Sequence, residues 1–502
     1  MEVYVSGLGA ICAAGTNLAE CLESMRSGRS MLAPVRRFQT ALGFPVGEVC
    51  LSDDELKEAL DIDRQEVASR TALLGLKAVD EALTDFVSRS GKADGLEELR
   101  CAFLSGTSVG GMDLSEVFWQ EHRDDLTGGD VRSLSMHTPG DVTSMMAHYL
   151  EFRGVNIVFS TTISTACSAA GNAIMLGAKM LREGLCDVAI VGGTDSLCRF
   201  TMNGFNSLRI LDPEICRPFD ESRAGLNLGE GAGYLVLTAD YEGAVCRLTG
   251  WGNANEAYHQ TASSPEGIGP GLSMSAALEQ AGLKPSDIDF VNTHGTGTQV
   301  NDLAESNAML RVFGGAVPPF SSLKAYTGHT LAASEGIEAV MVCKSLELND
   351  LSFMGSCGFS SPIPETGLVP FSGSRRYASP LSETGLVPFS GSRRYASPLS
   401  ETGLVPFSGS RRYASPLSET GLVPFSGSRR YASPLSETGL VPFSGSRRYA
   451  SPLSETGLAP FATRDGSRPR LRNILSSAFG FSGNCVSLVF SDIIDTQSSK
   501  AL

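Results

Sequence analysis

Four side chains in this sequence, Cys167, His294, Lys324 and His329, could together serve a thiol nucleophile. Cys167 lies in Thr161-Thr162-Ile163-Ser164-Thr165-Ala166-Cys167-Ser168-Ala169-Ala170-Gly171, which has the composition of a strand entering a tight turn and then a helix. The apolar run at 155–159 reads as a buried strand, and 169–182 carries Ala, Met and Leu at helical spacing. The thiol is thus expected at a helix N-terminus, where unpaired N–H groups and the helix dipole favour a thiolate usable near neutral pH. Alone, a cysteine among alanines reads more readily as an inert buried residue.

Three further motifs supply what such a nucleophile needs. Asn292-Thr293-His294-Gly295-Thr296-Gly297-Thr298 follows a strand at 288–291, so His294 can point into a cleft while Thr296 and Thr298 hydrogen-bond a polar chain passing by. Ser322-Leu323-Lys324-Ala325-Tyr326-Thr327-Gly328-His329 places a cation near an imidazole, so Lys324 should help keep His329 neutral, with Glu338 on the next helix as the ion-pair partner of Lys324. Ala478-Phe479-Gly480-Phe481-Ser482-Gly483-Asn484 is a glycine-rich turn whose backbone N–H groups could face the thiol and hold an oxyanion. Each motif, taken singly, also reads as an ordinary structural turn or histidine.

The elements that must carry these residues alternate. Apolar strands are expected at 3–8, 102–106, 187–194, 233–237, 287–292 and 485–490, and helices at 53–59, 64–85, 273–281, 302–313 and 335–348. This pattern predicts a mixed α/β sheet covered on both faces, in two halves, 1–245 with the thiol and 246–502 with the histidines. Gly7 and Gly9 could suggest a dinucleotide loop, but the third glycine of that fingerprint falls on Cys12, which excludes it.

With 502 residues, 42% of them hydrophobic, the chain can bury a large core. Its mean hydropathy of +0.01 fits a soluble protein. No basic leader or long apolar stretch is seen, so a cytoplasmic protein without a membrane span is expected. The twelve cysteines never occur at Cys-x-x-Cys spacing, which speaks against structural zinc or a disulfide framework; no metal is expected. A net charge of −15 speaks against nucleic acid as a partner.

One insertion has another character. An 18-residue unit, starting at Glu365, recurs identically from Glu383, Glu401, Glu419 and Glu437, and a divergent copy starts at Glu455. Half of each unit is Ser, Thr, Gly or Pro, so 365–454 reads as a solvated, irregular surface loop made by tandem duplication. The alternative is a basic docking arm, since each unit carries two arginines and one glutamate.

Together the motifs resemble β-ketoacyl-acyl-carrier-protein synthases, most closely the elongating type II enzymes. The resemblance rests on Thr165 to Gly171, Arg217-Pro218-Phe219-Asp220 with Gly229-Glu230-Gly231-Ala232, His294 to Thr298, Lys324 with Gly328-His329, and Gly480-Phe481-Ser482-Gly483, in the family's order and spacing. It implies a thiolase-like fold of two similar α/β halves in five layers, usually a homodimer. It implies that Cys167 accepts an acyl group from acyl carrier protein. His294 and His329 would bind the thioester carbonyl of malonyl-carrier protein, promote its decarboxylation and yield a β-ketoacyl thioester two carbons longer.

By the same resemblance, the backbone N–H groups of Cys167 and Phe481 form the oxyanion hole. Phe481 gates the acyl pocket, Val109 limits chain length, Thr296 and Thr298 contact pantetheine, and Arg64 with Arg70 dock the acidic carrier. No resident cofactor is implied, since substrates ride on the carrier's phosphopantetheine.

Two departures stand out. Ala332-Ala333-Ser334-Glu335 replaces a Gly-Ala-Ala-Gly run, and Ser482 and Asn484-Cys485 replace Gly and Thr-Asn. They leave the catalytic side chains intact and point to a specialised pathway. The rival readings are a non-catalytic chain-length subunit of a ketosynthase heterodimer, and a scaffold for repeats that act as a binding module. Chain-length partners typically lack the nucleophile, which is present here.

Overall fold

The structure, a computed structural model, describes residues 1–91, 96–355 and 470–493, positions 456 and 458, and short strand backbones between 372 and 438. Two compact units result: Met1–Pro218 with Arg223–Gly367 and Pro460–Leu502, and Phe219–Ser222 with Leu368–Ala459.

The first unit is built on one ten-stranded sheet. Its strands are β1 (Tyr4–Cys12), β2 (Cys101–Gly106), β3 (Ile157–Ile163), β4 (Val188–Asp195) and β5 (Gly231–Thr238), then β6 (Cys246–Asn255), β7 (Phe290–Asn292), β8 (Phe320–Ser321), β9 (Asn473–Phe479) and β10 (Asn484–Ser491). They lie in the order β8-β7-β9-β10-β6-β1-β5-β4-β2-β3. Within each half the spatial order is therefore third, second, fourth, fifth, first. The first two pairings are parallel and the last two antiparallel in both halves. The halves join where Tyr4 and Val5 pair with Arg247 and Cys246.

Five helices complete the layers: α1 (Arg70–Ser90), α2 (Ala169–Arg182), α3 (Ile268–Ala281), α4 (Gln299–Phe313) and α5 (Ser334–Leu348). Helices α2 and α5 pack on each other and on strands of both halves, so they form the middle layer. On the outside, α1 covers β1, β4 and β5, while α3, with α4 against it, covers β6 and β10. The result is α-β-α-β-α. Because α2 carries Cys167 at its entrance and α5 follows His329, the middle layer is what brings thiol and imidazole together.

Local physics explains where these elements start. Ser69 caps α1, its hydroxyl accepting from Ala72 N at 3.2 Å, so the helix begins at Arg70 and not at the expected position 64. Its Leu73, Leu74, Leu76, Val79 and Phe86 are buried, each contributing about 1.5–3 kcal/mol. Strand β1 takes that helix closely: a Cβ on Gly9 would stand 2.0 Å from Ala78 O, which is why glycine occupies this place. Helix α3 starts upstream of the expected Ser273, since Pro270 in its first turn costs no helical hydrogen bond. Strand β3 corrects the expectation of a buried strand: it is the sheet's edge, with Val158 46% and Phe159 41% exposed.

In the second unit, the described repeat segments are short parallel strands in register, Ser372 to Tyr377 opposite Ser390 to Tyr395 and these opposite Ser408 to Tyr413. A second ladder pairs Leu381 to Thr384 with Leu399 to Thr402. This replaces the irregular loop expected there. Identical copies bring the same backbone segment round every 18 residues, so in-register pairing satisfies each segment with the next.

Candidate active site

Cys167 sits in a single 3-10 turn, Ala166–Ser168, that leads into α2. Ala166 holds φ +53°, a left-handed conformation in which the bend between β3 and the helix is made. Burial pushes the thiol up to about 12, with Asp195 acting in the same direction and Lys324 against it. The backbone N–H groups of Phe481 and Cys167 also favour the thiolate. Desolvation in a closed interior thus opposes the ionisation that the helix end favours. A proton acceptor must help, and one lies at hand: His329 Nε2 is 3.0 Å from Cys167 Sγ.

The two imidazoles converge on the sulfur from the second half. One ligand atom each from Cys167, His294 and His329 falls within 4.8 Å of the others. The rings of His294 and His329 meet edge to face at 5.2 Å, and His294 meets Phe479 at 5.6 Å. Both imidazoles are held well below their ordinary pKa, first by burial and then by Lys324, with His329 adding to the effect on His294. They are neutral donors or acceptors at physiological pH. His294 Nδ1 is buried and has no hydrogen-bond partner among the described residues.

Each histidine is placed by its backbone. Glu305 on α4 accepts from the N–H groups of His294 and Gly295, both at 2.8 Å, and burial pushes its carboxyl up to about 8. His329 N donates to Asn227 O at 2.7 Å, and its carbonyl accepts from Gly229 N at 3.0 Å. Gly328 before it has φ +72°, and a Cβ there would stand 2.5 Å from Leu228 O. Lys324 Nζ is 2.7 Å from Glu338 Oε1, both buried, and Glu338 also accepts from Asn292 Nδ2 at 3.3 Å. Beside this pair Glu335 is buried, its carboxyl raised well above the ordinary range by burial and then by Glu338.

The residues expected to bind substrate fall in two places. Phe481 stacks on Phe205 at 5.5 Å, and Phe205 packs against the apolar cluster that contains Val109, Leu197, Met202 and Leu331. Thr296 Oγ1 and Thr298 Oγ1 lie 2.9 Å apart on the His294 loop. Of the expected docking pair, Arg64 has a side chain 65% exposed, paired with Glu58 at 3.3 Å. Arg70 does not reach the surface: it is 0% exposed, bonded to Glu230 at 2.7 Å and to Asp53 at 2.7 Å. A helix whose first turn packs inward carries its first residue with it, and a buried guanidinium persists only with carboxylates to match. Docking through Arg70 is thus ruled out by burial.

The family models now bear on this geometry. The β-ketoacyl synthase N-terminal domain matches residues 1–242 and the C-terminal domain residues 245–352. The chain belongs to the β-ketoacyl synthase family. Nodulation protein E of Rhizobium sp. (strain N33) is 33% identical over 364 residues, covering 69% of this chain and 86% of the relative. The 3-oxoacyl-[acyl-carrier-protein] synthase 2 of Staphylococcus aureus (strain MRSA252) is 31% identical over 392 residues, covering 73% and 90%. A solved structure, the ishigamide ketosynthase/chain length factor, superposes with a TM-score of 0.69 at 23% identity, covering 98% of this chain and 99% of that one. That likeness speaks for the fold, which is thiolase-like. Condensation in fatty-acid or polyketide elongation is the family's chemistry, and it is an acyltransferase reaction.

Several residues of this β-ketoacyl synthase site escape a reading of motifs. Asp195 at the end of β4 accepts from Thr107 Oγ1, Val109 N and Ala332 N, tying the loop after β2 and the turn after His329 to its own strand end. Glu305 and Phe205 act equally at a distance in sequence, through contacts that no local spacing encodes. Asn484 is visible in the sequence only as a departure from the family pattern; its Oδ1 accepts from Ser168 Oγ at 2.7 Å and Asn172 Nδ2 at 2.8 Å, linking the glycine-rich turn at 480–484 to the turn that bears Cys167.

Proposed function

We propose that this protein extends an acyl chain by decarboxylative condensation, with Cys167 as nucleophile. The thiol displaces the carrier thiol from an acyl-carrier protein and holds the acyl group as a thioester. Malonyl-carrier protein then loses carbon dioxide, and its carbanion attacks the acyl carbonyl. Cys167 leaves as thiolate and regains a proton, and the β-ketoacyl thioester departs two carbons longer.

What carries this reading is the convergence of one thiol and two neutral imidazoles within 4.8 Å. Neutral imidazoles can donate to the enolate oxygen as charge develops there, and the N–H groups of Cys167 and Phe481 serve the acyl oxyanion. Burial, and after it Lys324 anchored by Glu338, keeps both rings uncharged. Thr296 and Thr298 would line the path of the pantetheine arm. Val109 and Phe481 would bound the acyl pocket.

The acidic carrier protein would dock at exposed basic residues such as Arg64. The reading calls for no cofactor beyond the carrier's phosphopantetheine. A homodimer in the cytoplasm fits best: the edge strand β3 offers unpaired backbone and half-exposed Val158 and Phe159 to a second copy. Among the described residues no helix is long and apolar enough to cross a membrane. A non-catalytic chain-length role fits less well, since the complete catalytic set is in place.

The test is mass spectrometry of the purified protein offered a panel of acyl-carrier proteins, then malonyl-carrier protein. Acyl adducts on Cys167 that are converted to β-ketoacyl products are expected. Normal product formation by Cys167→Ala would refute the mechanism.

A further inference from the structure

His329 has a hydrogen-bonding neighbour on each ring nitrogen. Nε2 is 3.0 Å from Cys167 Sγ, and Nδ1 is 2.9 Å from Ser334 Oγ, itself 3.2 Å from Thr330 Oγ1. All four residues are buried, so water does not compete for these contacts. What faces Nδ1 decides what Nε2 can do. A carbonyl there would fix the proton on Nδ1, a backbone N–H would fix it on Nε2, and a hydroxyl accommodates either.

We infer that Ser334 is a positioning residue for the acyl-transfer half of the reaction, its hydroxyl accepting from His329 Nδ1–H so that a bare Nε2 faces the thiol of Cys167. In that step the S–H bond breaks, its proton forms an N–H bond at Nε2, and the electron pair stays on sulfur to attack the acyl carbonyl. The imidazolium so formed still has an acceptor for Nδ1–H, because the Ser334 hydroxyl turns its own proton to Thr330 Oγ1. The proton on Nε2 then passes to the departing carrier thiolate. Since a hydroxyl also donates, the same contact suits the Nε2–H form that a thioester oxygen requires during condensation.

Three surrounding groups bear on this proton transfer. Burial and then Lys324 oppose a charge on His329, Asp195 opposes one on Cys167, and His294, itself neutral, meets the His329 ring edge to face at 5.2 Å. An imidazolium in such surroundings depends on every acceptor it has, and Ser334 supplies the one at Nδ1.

The inference rests on the function proposed above, and alkylation of Cys167 by iodoacetamide separates the two. In Ser334→Ala the alkylation rate near neutral pH is expected to fall about 10- to 100-fold, the loss of one hydrogen bond to a charged group. Its rate–pH profile should move to higher pH, because the imidazolium that accompanies the thiolate loses its acceptor. Ser334→Thr should restore both rate and profile. An unchanged rate and profile in Ser334→Ala overturns the inference. Should that protein not fold, Ser334→Cys, with a weak thiol in place of the hydroxyl, gives the same comparison, and an unchanged rate again overturns it. A wild-type protein whose Cys167 resists alkylation would instead overturn the proposed function.

Discussion

His329 Nε2 lies 3.0 Å from Cys167 Sγ, and the two residues belong to different halves of a duplicated fold. The sulfur comes from the turn between β3 and α2, the imidazole from the loop after β8. Neither half can do the chemistry alone. Packing α2 against α5 in the middle layer sets their distance, so catalysis depends on the core as directly as on the side chains.

From this follows a division of labour that substitution should expose. Cys167→Ala is expected to abolish acyl attachment altogether. His294→Ala should leave attachment intact, because that ring does not bond the sulfur, while condensation falls by about a hundred- to a thousandfold for a lost oxyanion donor. Intact-mass analysis after acyl-carrier protein alone, and product analysis after malonyl-carrier protein, read the two steps separately.

The Lys324–Glu338 pair should show its structural cost before its catalytic one. Glu338→Ala strands a buried ammonium and is expected to lower stability by about 3–5 kcal/mol in urea unfolding. Replacing both, Lys324→Met with Glu338→Leu, should recover most of that loss. Condensation should not return with stability, since the histidines then lack their neighbouring cation.

Much of this site was legible in the sequence, for a physical reason. Cys167, His294, Lys324 and His329 each sit beside glycines or small residues that a tight turn at the end of a strand demands, and such turns leave local signatures. The duplication was legible as alternation but not as a strand order, because pairing is set by contacts far apart in sequence. Arg70 misled because a helical pattern shows which residues share a face but not which face is covered. For Cys167 the place at a helix start was readable, but the desolvation that opposes its ionisation depends on a closed interior assembled from both halves. The edge position of β3 was likewise invisible, since Ile157 to Phe159 are as apolar as any central strand.

The repeats fall in a compact unit other than the one that holds Cys167, His294, Lys324 and His329. Deleting 365–454 is therefore expected to leave the condensation rate unchanged, as measured by product formation with malonyl-carrier protein. A loss of rate with the fold retained would assign the repeats a part in carrier binding.

Arg64 and Arg70 should part company in experiment. Arg70→Ala leaves Glu230 buried without its guanidinium and is expected to cost about 3–5 kcal/mol of stability. Arg64→Ala, at an exposed pair, should change stability by no more than about 0.5 kcal/mol. Carrier-protein affinity should weaken in Arg64→Ala alone, and more at low salt than at high, as measured by the KM for acyl-carrier protein.

The pH dependence of stability should have two opposed parts that substitution can separate. His294 and His329 resist protonation when folded, by burial and by Lys324, but take a proton near the ordinary 6.5 when unfolded. Their pKa values are depressed in the fold, so the stability they contribute is present above that value and lost as pH falls below it. Glu305 works the other way. Its carboxyl, pushed up to about 8 by burial, stays neutral when folded but ionises above the ordinary 4.5 when unfolded. Its contribution is full below 4.5 and declines as pH rises toward about 8. Urea midpoints measured across this range should show the acid-side loss shrinking in a His294→Asn, His329→Asn double variant. The alkaline-side loss should shrink in Glu305→Gln. If the histidine variant keeps the full acid-side slope, the imidazoles are not the neutral groups that the condensation requires.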